Sequence, residues 1–209
     1  KASSAASDVY KRQLSASMVV SAARDPREFA TQLLRPMPRP ASAAARLGTR
    51  FHSWVERHYG LAQLTERLIE DEELIADDEK LAQLCQSFLA SPWAQKVPLA
   101  VEVPINFDLD GLEVRGQIDA VFAAEDPEHD VLLVDWKTSE HGADPMQLAL
   151  YRHAWSTATG VDPARVDACF VRIGSGRVER PRRLLSTEEL IVGLREGLAA
   201  VGQGTTLTT

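Results

Sequence analysis

Cysteine is scarce: among 209 residues there are only Cys85 and Cys169. An iron–sulfur cluster takes four thiolates, so no such cluster is expected. Nothing local brings the two together, and the simplest reading is a pair of buried thiols in a reducing cytoplasm. Long apolar runs are also missing. None reaches the roughly 18 residues a membrane span needs, and the amino-terminal stretch has no apolar core of a signal peptide. A membrane is therefore not expected among the partners. There is no Gly-x-x-x-x-Gly-Lys-Ser/Thr loop, so no phosphate-cradling ATP site of that type is encoded. Positive charge is in deficit, with 23 Lys and Arg against 30 Asp and Glu and a net charge of −7. A nucleic-acid binder usually carries a basic footprint. The deficit argues against tight unaided binding to a phosphate backbone. It does not exclude chemistry there, because divalent cations neutralise an acidic pocket.

What remains is a globular composition, 44% hydrophobic and 25% charged, long enough for one domain with decoration. The chain begins at Lys1 and reads as a piece of something longer. Asp8–Gln13 resembles a translated adapter read, and residues 1–13 are expected to be non-native or disordered. Residues 14–40 read as a helical lead-in and a Pro-rich strap. Leu14-Ser15-Ala16-Ser17 opens a first helix with a serine cap. Asp25-Pro26 opens another through Phe29 to Leu34, and Pro36, Pro38 and Pro40 make the next stretch stiff and extended.

Residues 41–201 form the main domain, and 202–209 a flexible tail. Ala41–Tyr59 is predicted as a helix with an apolar stripe of Leu47, Phe51, Val55 and Tyr59, stopped by Gly60. Helices follow at about Leu61–Glu70 and Asp78–Ala90, and the acidic run Glu70–Glu73 reads as a solvated face. The pattern then changes to alternation. Leu99–Leu109 and Leu112–Phe122 flank Asp110-Gly111, a strong hairpin signal. Val131–Trp136 suits a central strand buried on both faces. Pro145–Thr159 is helical, ended by Gly160. Val166–Ile173 and Arg177–Arg180 are strands around a glycine-rich turn. Ser186 and Glu189 have the spacing of a capping box for a last helix reaching about Val201. This order predicts an α/β sandwich with a mixed sheet.

Two carboxylates stand out. Asp119 lies inside a hairpin strand, and Asp135 ends the apolar run Val131-Leu132-Leu133-Val134. Charges are rarely buried in strands unless paired or bound to metal. Hard oxygen ligands at one point suit Mg2+ or Mn2+. Lys137, two residues after Asp135, shares its strand face. An ammonium there suits phosphodiester hydrolysis, where negative charge builds in the transition state. The same Asp-x-Lys also describes a strand end with a surface ion pair, worth about 0–1 kcal/mol. Gly48 and His52 sit one turn apart on the Ala41–Tyr59 helix. The glycine permits close approach and the imidazole is a common metal ligand, although a helical histidine is more often structural. Gln147 and Tyr151 share a helix face, and they are also ordinary polar helix positions.

In this order, Gly48…His52, Gly116…Asp119, Asp135-Trp136-Lys137 and Gln147…Tyr151 resemble the RecB-family branch of the PD-(D/E)XK nucleases. The likeness is greatest to the carboxy-terminal nuclease domain of AdnB-like bacterial helicase–nucleases, which resect double-strand breaks. Leu14–Ser17 and Arg35–Pro38 are similar to that group's lead-in. The resemblance implies a restriction-endonuclease-like α/β/α sandwich with a central mixed sheet and an N-terminal helical region. It implies a metal held by His52, Asp119, Asp135 and the Trp136 backbone carbonyl, with Lys137 catalytic. Gln147 and Tyr151 would support the site and the strand. Glu102 matches a frequent acidic position on the first strand, where it would help a second metal or hold Lys137; it also reads as an ordinary strand carboxylate. DNA is the implied substrate, with an ATP-driven helicase motor elsewhere on the chain or in a partner subunit. The four-cysteine iron–sulfur staple of some relatives is not encoded. Two other readings stay open: a non-catalytic DNA-binding scaffold of the same fold, and a metal phosphoesterase of small substrates.

Overall fold

The computed structural model describes residues 14–25, 29, 42–61 and 79–204. The chain runs β1 (Leu14–Ser15), α1 (Ala16–Arg24), α2 (Ala43–Leu61), α3 (Glu79–Leu89), β2 (Ala100–Leu109), β3 (Leu112–Ala123), β4 (Val131–Lys137), α4 (Pro145–Thr159), β5 (Val166–Arg172), β6 (Arg177–Glu179) and α5 (Thr187–Gly204). The six strands form one mixed sheet. One edge of β3 pairs with antiparallel β2. Its other edge is shared: β1 runs parallel to it at Leu14–Val114 and Ser15–Arg115, and β4 runs antiparallel from Ala120–Val134 onward. Between those two partners no described strand pairs with the edge at residues 116–119, and the candidate site lies there. β5 runs parallel to β4, and β6 closes the order as an antiparallel strand.

Helices cover both faces. One core packs α1, α4 and α5 on the sheet through residues such as Val19, Leu148, Leu190 and Leu133. The other packs α2 and α3 through Phe51, Val55, Phe88, Val134 and Trp136. This is the expected α/β/α sandwich with a central mixed sheet. β4 is buried on both faces because its alternate residues enter opposite cores. The hairpin turns on Asp110 (φ 57°) and Gly111 (φ 81°), the paired positive angles that suit a twisted two-residue turn. α4 is capped by Asp144, which accepts the Met146 amide at 2.9 Å, and ended by Gly160 at φ 76°. α5 opens on the predicted box: Ser186 N–H donates to Glu189 at 2.7 Å, and Glu189 N–H to Ser186 Oγ at 3.3 Å. α1 is capped by Ser15, whose hydroxyl accepts the Met18 amide.

Some expectations change. Gly60 does not end α2, which continues to Leu61. A glycine stops a helix by taking a left-handed conformation, and Gly60 has no positive φ. Gly48 is not a site of forced close approach: a Cβ there would make ordinary contact, 3.6 Å from Thr138 Oγ1. Tight packing falls instead at Gly116, where a Cβ would sit 3.3 Å from Ala16 and Ile105, so glycine lets α1 settle on the hairpin. Both cysteines are buried, with no disulfide between them. The Pro-rich strap, the expected Leu61–Glu70 helix past Leu61 itself, the acidic run and residues 1–13 lie outside the described residues. So does most of the Asp25–Leu34 helix, of which Asp25 and buried Phe29 are described.

Candidate active site

At the open stretch of β3 the alternation of two strands changes phase. On β2, Val103, Ile105, Phe107 and Leu109 face the α1/α4/α5 core, whereas Val101 packs into the other. On β3, Leu112, Val114 and Ile118 face the first core, and Ala120 and Phe122 the second. Both strands invert at the same opposed pair, Glu102 and Asp119, without losing register on either side. Glu102 carries the inversion in its backbone, at φ 49°. A non-glycine residue in that region costs roughly 1–3 kcal/mol and persists only where its surroundings hold it.

The inversion delivers carboxylates to the gap, and both helical layers supply groups to meet them. From α2, His52 Nδ1 lies 3.2 Å from Asp119 Oδ1 and 3.8 Å from Glu102 Oε1. One ligand atom from each of His52, Glu102 and Asp119 falls within 4.8 Å of the others. Burial alone would lower the His52 pKa. The adjacent Asp119 and Glu102 carboxylates and the charge of Asp135 outweigh it, pushing the group up to about 10. Asp119 spends its other oxygen on the sheet: Oδ2 accepts the Trp136 N–H at 2.7 Å. The ladder between β3 and β4 ends at Ala120–Val134, so the carboxylate replaces a missing backbone partner.

Asp135 turns toward the other layer. Its Oδ1 accepts Gln147 Nε2 at 3.0 Å, and its Oδ2 lies 2.7 Å from Lys137 Nζ. That ion pair lacks hydrogen-bond alignment, which leaves Oδ2 buried without a hydrogen-bond donor. Burial, then the Asp119 charge, push the Asp135 carboxyl up to about 7 against the pull of Lys137. Gln147 organises this half. Its oxygen accepts from Lys137 Nζ at 3.1 Å, and its nitrogen donates also to Tyr151 Oη at 2.8 Å. Only the oxygen can accept from an ammonium, which fixes the amide's orientation. Burial and the nearby carboxylates raise the Tyr151 phenol, keeping it protonated.

The candidate site side chains read from the sequence fall in two groups, His52, Glu102 and Asp119 in one and Asp135, Lys137, Gln147 and Tyr151 in the other, joined through Trp136 N–H. Glu102 stands by His52 and Asp119. Two neighbours escaped the sequence reading. The Phe170 ring lies 5.2 Å beneath Lys137 Nζ, and Arg172, paired in register with Lys137, is buried. The signal for Arg172 was present, a charge inside an apolar strand, as for Asp135.

The donors fit a divalent cation. One imidazole nitrogen and two carboxylates lie within 4.8 Å of one another, and beside them Asp135, whose buried Oδ2 lacks a hydrogen-bond donor, pairs with the Lys137 ammonium. Net negative charge and hard oxygen atoms are what such ions require. No described helix is long and apolar enough to cross a membrane.

Comparison with known proteins agrees with the fold. Residues 13–205 match the family model of the PD-(D/E)XK nuclease superfamily. A structure described as "Putative exonuclease", from Eubacterium rectale, superposes with a TM-score of 0.57 at 14% identity, covering 94% of this chain and 84% of that one. The Gene 69 protein of Mycobacterium phage L5 is 32% identical over 82 residues, 39% of this chain. That of phage D29 is 30% identical over 84 residues, 40% of this chain. These matches span 27% and 30% of the two phage proteins' own lengths.

Proposed function

The chain belongs to the PD-(D/E)XK nuclease superfamily, and from that premise we propose that it is a divalent-metal-dependent deoxyribonuclease. The observation that carries this reading is the clustering of His52, Glu102 and Asp119 donor atoms within 4.8 Å of one another beside the Asp135–Lys137 pair. In this reading His52, Asp119 and Asp135 hold Mg2+ or Mn2+, the cations suited to hard oxygen ligands. The Trp136 carbonyl is a further ligand, since on a strand it points to the same edge as the N–H that bonds Asp119. Glu102 adds a carboxylate to the His52 side. When bound, the cation polarises the scissile phosphate and activates water. Lys137 orients the attacking water and offsets charge on the phosphorane. Gln147 holds the Lys137 ammonium and the Asp135 carboxylate at once, and Tyr151 holds Gln147.

The order of the motifs supports a finer reading: the nuclease module of a helicase–nuclease that processes double-strand breaks. The ATP-driven motor then lies elsewhere on the polypeptide or in a partner subunit. The test is incubation of the full chain with linear duplex and single-stranded DNA. Cutting with Mg2+ or Mn2+, abolished by EDTA and by Asp135→Ala, is the expected result. DNA binding without cutting would favour a scaffold. Hydrolysis of a small phosphate ester with intact DNA would favour a different phosphoesterase.

A further inference from the structure

Among the described residues, buried ionisable charge occurs at three places: Asp119, Asp135 and Arg172. The first two belong to the site. Arg172 ends β5, on the sheet face that carries Lys137, and the two are register partners. Its guanidinium is used almost completely. Nε and Nη2 fork the Glu179 carboxylate on β6 at 3.1 and 3.0 Å. Nη1 donates to the Ser139 carbonyl at 2.6 Å and to the His141 carbonyl at 3.2 Å. Those carbonyls lie in the segment between β4 and α4, whose ends carry Lys137 and Gln147. The next layer repeats the link: Ser175 donates to Glu140 at 3.2 Å, and Arg177 pairs with Glu140 at 3.6 Å.

Burying a guanidinium is costly, and a well-packed apolar side chain is often as stabilising as a buried ion pair. Stability alone therefore gives little reason for arginine here. An apolar residue, however, could not hold two carbonyls, and a lysine lacks the planar fork that grips a carboxylate and carbonyls together. We infer that Arg172 is a positioning residue of the site: it ties the 138–144 segment to the β5–β6 edge and so holds Lys137 and Gln147 in hydrogen-bond contact. Lys137 bonds Gln147 across that segment at 3.1 Å, so play in the segment would separate the ammonium from the amide that orients it.

This inference rests on the nuclease reading for its kinetic arm but not for its structural one. Hydrogen exchange on the full chain, read by mass spectrometry, is compared between wild type and Arg172→Met. Faster exchange over 138–147, with the α5 peptides unchanged, is expected. In parallel, DNA-cleavage kcat should fall roughly 10- to 100-fold, the scale of a misplaced catalytic group. Arg172→Lys should not restore it. Added to Gln147→Ala, Arg172→Met should cause little further loss, because both act on the same contact. Glu179→Gln, a milder change, should lower kcat in the same direction if Arg172→Met folds poorly. Gly197→Ala, in the contact between α1 and α5, should lower the melting temperature without changing kcat. Unchanged exchange over 138–147, a kcat within twofold of wild type, or additive losses with Gln147→Ala would overturn the inference. A wild-type chain that cuts no DNA would count against the nuclease reading instead, with the exchange result still deciding Arg172.

Discussion

The Asp119 carboxylate accepts the Trp136 N–H at 2.7 Å, just past the Ala120–Val134 rung that ends the ladder between β3 and β4. One side chain thus joins the strands where the backbone has parted and presents its other oxygen to His52. Asp119→Asn keeps an acceptor for the amide but removes the charge, while Asp119→Ala removes both. Both variants should lose metal binding. By chemical denaturation Asp119→Ala should be the less stable, by about 1–3 kcal/mol for an unpaired buried amide. Equal stability of the two would refute the bridging role.

Glu102 separates two effects at one position. Its side chain faces His52 and its backbone sits at φ 49°. Glu102→Ala should weaken metal binding while keeping the backbone strain. Glu102→Gly should weaken it equally but be more stable than the alanine variant by about 1 kcal/mol, since glycine tolerates that conformation. Thermal melts of the pair, without metal, check this.

Lys137 and Gln147 should act in the chemical step more than in cation binding. Lys137→Ala should lower cleavage by roughly 100-fold or more, with Mn2+ affinity close to wild type. Gln147→Ala should do the same to a smaller degree. Retained cleavage in Lys137→Ala would remove the lysine from the mechanism.

The thiols should be silent. Cys169 is fully buried, and burial pushes its thiol up to about 12. Cys85 is buried in the same core. Neither should react with an alkylating reagent at pH 8 in the native chain, and both should after denaturation. Rapid labelling of the native protein would contradict this core.

Close packing at Gly197 gives a test of the opposite layer. A Cβ there would run into the Ala22 carbonyl of α1. Gly197→Ala should therefore destabilise by about 1–3 kcal/mol despite alanine's better helix propensity. A rise in melting temperature would show that α1 and α5 do not cross so closely.

Local chemistry made much of the fold legible. Asp110-Gly111 announced the hairpin, Ser186 and Glu189 the start of α5, and a four-residue apolar run the central strand. Features that depend on distant partners were not legible. The two-residue strand at Leu14 exists only because β3 offers a free edge. Gly60 has the composition of a helix stop, but not its conformation. In the site, the Asp135–Lys137 spacing follows from strand periodicity alone. The phase change at Glu102 does not, because no propensity predicts a left-handed glutamate in a strand. It decides that Glu102 stands by His52.

The most direct test of the account is a calorimetric titration of Mn2+ into the full chain beside His52→Ala, Asp119→Ala and Lys137→Ala. Saturable binding in wild type and Lys137→Ala, lost or weakened at least tenfold in the other two, is the predicted result. Equal Mn2+ affinity in all four proteins would contradict it.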